Sequence, residues 1–522
     1  MNPFLATDGY KTGHHKMYPK GTTLVYSNFT PRSNKYAPKG CDKVVSFGQQ
    51  MVMQQIYDMF ERDFFEKAKD AIVGEIEYEY GLYLNAPYDA SHIADLHDLG
   101  YLPIHVKALA EGTTVPIGVP VLTIQNTVPE FFWLTNFLET LISNLLWKPM
   151  TSATIALQYR KNLTKWALKT DEENVAFVDF QGHDFSMRGM DSIDATIASG
   201  LGHATSFLGS DSLPVIHGAR QYYHEFNGFV VGSVNATEHS VMCAGGDGVG
   251  EELNTFRYLM EQFPTGILSI VSDTWNLWDV LTKYLPVLKP EILERDGKIV
   301  IRPDSGNPVD IICGRDRESY SETRPIIVTS DEWDAVKNHT EQKGVIELLW
   351  ETFGGTVNKQ GYKVLDPHIG AIYGDSITVD RAEEICERLE AKGFASTNIV
   401  LGIGSFTYQF NTRDTFGFAM KATYVEIQRA CNKEYGACYP NNCDGTCVTG
   451  REIYKDPITD DGTKKSAKGL LMVEEGGDKY ILYDGVSKAE EATGFLQTIF
   501  LDGEAMNKTT LNEVRTKLKH FS

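Results

Sequence analysis

The stretch Lys298-Ile299-Val300-Ile301-Arg302-Pro303-Asp304-Ser305-Gly306-Asn307-Pro308 sets a guanidinium and a carboxylate two residues apart, directly after three β-branched residues. Those three residues read as a short buried strand, and the Pro, Ser, Gly and Asn that follow read as the turn that ends it. The carboxyl end of a buried strand is where α/β folds keep their chemistry. Arg302 and Asp304 in that place point to an anion site in a catalytic region.

Other candidate groups stand in the same kind of position. His183-Asp184-Phe185 follows 177–180, Glu238-His239-Ser240 follows 229–234, and Asp273 follows 268–271. Gly374-Asp375 follows 371–373, and Gly402-Ile403-Gly404-Ser405 follows 398–401. Imidazole is nucleophilic near neutral pH, with an unperturbed pKa of about 6.5, and a neighbouring carboxylate such as Glu238 can orient it. An isolated His is more often structural, as an isolated Phe185 is more often core and an Asp in Gly-Ser-Asp-Ser is more often a turn or cap residue.

The elements that must position these groups alternate: strand, polar tip, helix, repeated between about 175 and 412. This region reads as an irregular βα-barrel. Residues 1–174 and 413–522 read as a mixed α+β domain built from both termini, with the barrel inserted. In the first part, a strand over 24–29, a helical pattern over 49–69 and an extended stretch over 104–124 are expected. Thr127 and Glu130 have capping-box spacing for a helix over 131–147, which Pro149 should end before a second helix over 152–169. In the last part, 470–474 and 480–483 read as a hairpin, 495–501 as a strand, and Thr510 with Glu513 as the cap of a final helix.

The chain has 522 residues and a formal net charge of −21, from 49 basic and 70 acidic residues. This acidity argues against nucleic acid or an anionic membrane surface as partner; phosphates would need a locally basic pocket. No basic-then-apolar leader opens the chain, and the most apolar helical stretch is short and interrupted by Asn136, Glu139 and Asn144, so a soluble intracellular protein is expected. Eight Cys do not suggest a disulfide scaffold. Cys431, Cys438, Cys443 and Cys447 crowd one segment, but without paired CxxC units an inserted loop is the simpler reading than structural zinc.

Ala6-Thr7-Asp8-Gly9-Tyr10-Lys11, His183-Asp184-Phe185-Ser186-Met187-Arg188-Gly189, Gly209-Ser210-Asp211-Ser212 and Glu238-His239-Ser240 occur in that order. Ile301 to Pro308, Gly374-Asp375, Thr412-Arg413-Asp414 and Lys455-Asp456-Pro457 follow. Together they resemble the nicotinamide phosphoribosyltransferase family over nearly the whole chain. The resemblance implies condensation of nicotinamide with phosphoribosyl pyrophosphate to nicotinamide mononucleotide and pyrophosphate in NAD salvage. It also implies Mg²⁺, ATP hydrolysis through a phosphohistidine, and a cytoplasmic homodimer with shared active sites.

By the same resemblance, Phe185 stacks on one face of the nicotinamide ring and Tyr10 of the partner subunit on the other. Asp211 accepts a hydrogen bond from the carboxamide; a carboxylate welcomes that donor and repels the carboxylate of nicotinate. His239 is the phosphorylated residue, beside Glu238. Asp304 and Asp375 are the ribose-side and phosphate-side carboxylates, and Arg302 contacts base or phosphate. Gly374, Gly404 and Ser405 offer backbone N–H groups to the 5′-phosphate. Arg188, Arg413 and Lys421, with Arg32 of the partner subunit and Lys455 of the partner subunit, supply positive charge to phosphate and pyrophosphate. No protein metal-ligand set is implied, and Asp273 reads as a lesser candidate. Gly402-Ile403-Gly404-Ser405-Phe406 is less glycine-rich than in animal relatives. The competing readings are the sister nicotinate phosphoribosyltransferase, disfavoured by Asp211; a metal-dependent barrel hydrolase, which lacks a spaced HxH or HExxH pair; and a non-catalytic protein on this fold.

Overall fold

A computed structural model describes the chain except residues 247–248, 317–338, 375, 431–445, 457, 460–465, 478 and 522. Two seven-stranded sheets organise it. The first is antiparallel, in the order Thr446–Glu452, Ala419–Ala430, Thr22–Thr30, Leu122–Asn126, Ile104–Ala108, Gln497–Leu501 and Glu504–Ala505. Strands from near both ends of the chain therefore share one sheet, with Thr22–Thr30 lying against Ala419–Ala430 from Thr22↔Ile427 to Thr30↔Ala419.

The second sheet is parallel, in the order Gly209–Ser210, Gly182–Asp184, Ile399–Ile403, Ile369–Tyr373, Asp296–Arg302, Thr265–Val271 and Asn235–Ala236. Its two edges meet. Gly209 and Gly232 form a parallel bridge, with Ser210 N–H donating to the Gly232 carbonyl at 3.0 Å and Gly232 N–H to the Leu208 carbonyl at 2.9 Å. The sheet thus curls into a ring, and the carboxyl ends of its strands gather at one rim, as the alternating βα pattern requires.

Two apolar cores follow from the two sheets. One packs Phe4, Phe29, Phe47, Phe60 and Val106 between the antiparallel sheet and its helices; the other fills in around the barrel strands with Ile270, Ile301, Leu349 and Leu401. The helix Glu139–Thr170 serves both, giving Leu146 and Met150 to the first and Ile155, Tyr159 and Leu163 to the second.

That helix departs from expectation, because Pro149 lies inside it. Proline removes one helical hydrogen bond, and here burial compensates: Pro149 is packed against Gly48, where a Cβ would stand 2.6 Å from its Cγ. Gly48, at φ 93°, opens the helix Gln49–Phe60, which passes through the π turn Glu61–Phe65 instead of running on to 69. Thr127 caps nothing; its hydroxyl pairs with Asp502, and the turn Pro129–Phe131 has Val128 at its N-cap.

Residues 177–180 are helical, in Glu172–Phe177 and Val178–Gln181, and the strand starts only at Gly182. Short apolar runs do not distinguish helix from strand; here buried Gln181 donates to the Ser396 and Ile399 carbonyls and pins the helix to the barrel wall. Stretch 229–234 contributes only the bridge at Gly232 before Asn235–Ala236. The hairpin Leu470–Gly476 with Lys479–Val486, the strand Gln497–Leu501 and the Thr510/Glu513 capping box form as expected. Cys431, Cys438 and Cys443 lie outside the described residues, while Cys447 sits in a strand that pairs from Tyr424↔Glu452 to Ala430↔Thr446. Among the described residues no helix is long and apolar enough to cross a membrane.

Candidate active site

The ring encloses a cavity of about 410 Å³. Phe185, His183, Asp211, Ser233 and Arg302 line it towards the rim, Val300, Ile372, Val400 and Lys298 line it deeper, and Phe177, Phe180 and Phe229 at the far mouth. Strand Gly182–Asp184 delivers His183 and Phe185, whose N–H donates to the Ile403 carbonyl at 3.0 Å and so continues the ladder. The Arg302 guanidinium carbon lies 5.9 Å from the Phe185 ring centroid, and its buried Nε has no hydrogen-bond partner among the described residues. An orphaned buried donor beside an aromatic face suits a ligand acceptor.

Asp211 follows strand Gly209–Ser210. His183 Nε2 lies 2.8 Å from its Oδ1, and the Ser233 hydroxyl donates to the same oxygen. Burial pushes the Asp211 carboxyl up, but the hydrogen bonds from His183 and Ser233 and the charges of His183 and Arg302 outweigh it and hold the group below its usual range. It stays ionised, with Oδ2 left without a hydrogen-bond partner among the described residues.

Asp273 is the centre of the opposite side. Its Oδ2 accepts from Asp304 N–H at 2.8 Å, Ser305 N–H at 2.7 Å and the Ser305 hydroxyl at 2.6 Å, while Oδ1 lies 3.4 Å from His239 Nε2. Burial raises its pKa, but those three bonds and the His239 charge bring it below the ordinary value. One carboxylate therefore shapes the Asp304 turn and sets its other oxygen near the imidazole, a larger part than its place after a strand suggested. His239 begins the helix His239–Ala244, half exposed; Glu238 precedes it and accepts from the Ser240 hydroxyl. Gly374 lies so close to Asp304 that a Cβ would stand 2.0 Å from Oδ1, so only glycine admits that carboxylate. Asp375 lies outside the described residues.

Gly404 and Ser405 open the short helix Ser405–Tyr408, and the turn Met187–Gly189 that carries exposed Arg188 packs beside it. A second basic group forms on the antiparallel sheet. Arg32 N–H donates to the Phe416 carbonyl at 3.0 Å, and Lys421 pairs with Asn28 across the strands. Burial, then the Arg413 charge, lowers the Arg32 pKa; burial lowers that of Lys421, where Glu139 partly compensates and Arg32, Arg413 and Lys11 add to the fall. Arg32, Arg413 and Lys421 thus feel one another's charge and form one basic group within a single chain. Lys455 is exposed, with its N–H on the Ser466 hydroxyl at 2.9 Å. Tyr10 is 65% exposed and touches His14 and Lys11, not the cavity. The segment around it is anchored, because buried Lys11 pairs with Glu139 at 2.8 Å. Ser233 and Lys298 were not distinguished in the sequence; the position of Ser233 just after Gly232 was the available signal.

Residues 180–439 match the nicotinate phosphoribosyltransferase (NAPRTase) family, and residues 2–106 match the nicotinamide phosphoribosyltransferase N-terminal domain. The crystal structure of human nicotinic acid phosphoribosyltransferase superposes with a TM-score of 0.51 at 15% identity, over 99% of this chain and 93% of that one. At that identity the likeness establishes the fold, which is that of a phosphoribosyltransferase. Nicotinamide phosphoribosyltransferase of Acinetobacter baylyi is 47% identical over 530 residues, 99% of this chain and 97% of the relative. That of Mycoplasma pneumoniae is 34% identical over 484 residues, 90% of this chain and 95% of the relative. The chain belongs to the nicotinamide phosphoribosyltransferase family and is a pentosyltransferase.

Proposed function

We propose that the chain condenses nicotinamide with phosphoribosyl pyrophosphate, releasing pyrophosphate and nicotinamide mononucleotide for NAD salvage. The observation that carries the choice of base is Asp211, held below the usual carboxylate range with an Oδ2 that has no hydrogen-bond partner among the described residues, lining the same apolar cavity as Phe185. A planar ring gains from the aromatic face and its carboxamide from a charged acceptor, whereas a carboxylate in that place meets like charge.

In this reading Arg302 and Phe185 orient the base, and Asp304 approaches the ribose. The ring nitrogen attacks C1 as the bond to pyrophosphate breaks, and the developing positive charge on the sugar is met by carboxylate. Gly404 and Ser405, at a helix start, hold the 5′-phosphate together with Gly374, and Arg188 adds charge. Hard oxygen donors suit Mg²⁺, and the Asp304 carboxylate would hold it alongside substrate phosphate oxygens and water. The chemistry Mg²⁺ supplies is neutralisation of the departing pyrophosphate. His239, with Nε2 turned to Asp273 and Nδ1 without a hydrogen-bond partner among the described residues, takes the γ-phosphoryl of ATP on Nδ1, releasing ADP; hydrolysis of that bond couples ATP to turnover. Glu238 flanks it.

A homodimer completes the site. Phe406 and Phe410, stacked at 5.2 Å, stand 60% and 78% exposed next to Ser405, and Leu213 is 74% exposed. Apolar groups in that number at a rim support a covering subunit. Tyr10 of the partner subunit would close over the base, and the Arg32, Arg413 and Lys421 group of a second copy would meet the pyrophosphate. The substrates are soluble, in keeping with action in the cytoplasm.

The test is product formation from phosphoribosyl pyrophosphate and Mg²⁺ with nicotinamide or nicotinate, each with and without ATP. Nicotinamide mononucleotide formed selectively and accelerated by ATP is the expected result. Preference for nicotinate would overturn the base assignment, and no stimulation by ATP would overturn the phosphohistidine.

A further inference from the structure

Beneath the rim, away from the cavity, lies a layer of buried polar side chains. His203, fully buried near the end of the helix Ile193–Ala204, has Nε2 3.0 Å from the Gly209 carbonyl and Nδ1 2.7 Å from the Tyr408 hydroxyl. A carbonyl only accepts, so Nε2 carries the proton, and the Tyr408 hydroxyl donates to the Nδ1 lone pair. Burial lowers the imidazole to about 4, which keeps this neutral tautomer at working pH. Gly209 begins the strand that delivers Asp211, and Tyr408 ends the helix that Ser405 begins.

The same short helix is held from a second side. The Tyr159 hydroxyl, on the long helix, donates to the Ile377 carbonyl at 2.9 Å and lies 3.0 Å from the Thr407 hydroxyl, which is itself 3.3 Å from that carbonyl. Ile377 is three residues past Gly374. The segments that carry Asp211, Gly374 and Gly404 with Ser405 are therefore tied to one four-residue helix by directional bonds. Apolar packing fixes distance but tolerates rotation; a hydrogen bond weakens steeply as its angle opens.

We propose that His203, Tyr408 and Tyr159 are positioning residues that hold the base-recognising carboxylate and the phosphate loop at the separation the transfer step needs. Bringing a sugar carbon onto a ring nitrogen requires both ends of the substrate pair to be placed within about half an ångström. The role rests on the proposed assignment of Gly404 and Ser405 to the 5′-phosphate.

Steady-state kinetics and thermal melting of Tyr408→Phe, His203→Gln, Gly404→Val and Tyr26→Phe test it. Tyr26→Phe also deletes a buried hydroxyl, one that meets the Leu471 carbonyl at 3.5 Å in the antiparallel sheet far from these loops. Tyr408→Phe is isosteric and keeps the protein folded if His203→Gln does not. It is expected to raise KM for phosphoribosyl pyrophosphate about fivefold or more while KM for nicotinamide stays within about twofold. Tyr26→Phe should lower the melting temperature comparably and move neither KM. A Tyr408→Phe enzyme that melts lower but keeps both KM values would overturn the positioning role. Gly404→Val raising KM for phosphoribosyl pyrophosphate while Tyr408→Phe does not would overturn that role alone; Gly404→Val without effect would overturn the phosphate assignment beneath it.

Discussion

Asp211→Asn isolates one oxygen. Among the described residues, both donors to this side chain reach Oδ1, from His183 Nε2 at 2.8 Å and from the Ser233 hydroxyl. Asparagine keeps Oδ1 as a carbonyl acceptor for both, so the surrounding structure retains its bonds. What changes is Oδ2, which becomes an NH₂ group, so the cavity is offered a donor in place of a charged acceptor. Nicotinamide then loses a charge-assisted hydrogen bond of about 1.5–3 kcal/mol, roughly 10- to 150-fold in kcat/KM. Nicotinate loses a repulsion and gains a donor, so its kcat/KM should rise. Initial rates with the two bases at saturating phosphoribosyl pyrophosphate give the selectivity ratio directly, with thermal melting as the control for folding. A ratio of kcat/KM that stays within about twofold of wild type would refute the assignment of Oδ2 to the carboxamide.

Replacing His239 by Asn removes the phosphoryl acceptor, so ADP release should vanish while a slow ATP-independent synthesis remains; continued ATP hydrolysis would exclude His239 as the acceptor. Gly374→Ala places a Cβ 2.0 Å from Asp304 Oδ1; a displacement near 1 Å can cost about 100-fold, so kcat/KM should fall about 10- to 100-fold with little change in melting, and full activity would deny Asp304 its place. Burial drives Glu111 up to about 7 from an ordinary 4.5, against partial relief from the Gln50 N–H, the Tyr223 hydroxyl and the Gly48 N–H. A carboxyl raised in the folded state binds more protons there than in the unfolded chain, so stability falls as pH rises through that window, by on the order of 3 kcal/mol. Urea midpoints should therefore drop between about pH 5 and pH 7.5 in wild type and much less in Glu111→Gln; parallel curves would show that Glu111 is not the group.

The barrel was legible where each strand is a β-branched run ended by a polar tip, as in Thr265–Val271, Asp296–Arg302, Ile369–Tyr373 and Ile399–Ile403. Gly182–Asp184 was not, because its three residues carry no strand preference and only the ladders on either side make it one. Pro149 signalled a stop that tertiary burial overrode. Within the site, residue types were visible but partnerships were not. Nothing in the residues after Val271 shows that Asp273 collects three donors from a turn 31 residues away. His203, Tyr159 and Tyr408 read as core in any helix-periodic pattern, and their hydroxyl and imidazole partners come from elements far along the chain. The assembly of Arg32 with Arg413 and Lys421 likewise depends on a strand pairing that joins distant parts of the sequence.

The ring of parallel strands is unevenly fastened. Asp296–Arg302 meets Thr265–Val271 over seven residue pairs, whereas the two edges meet at one glycine pair through two hydrogen bonds. Such a ring has a clasp, and breathing is cheapest there. The clasp lies beside Asp211 and Ser233, whose own hydrogen bond crosses it. A ligand that engages Asp211 therefore bears on the joint itself, because the residue it meets is already hydrogen-bonded across the clasp to Ser233.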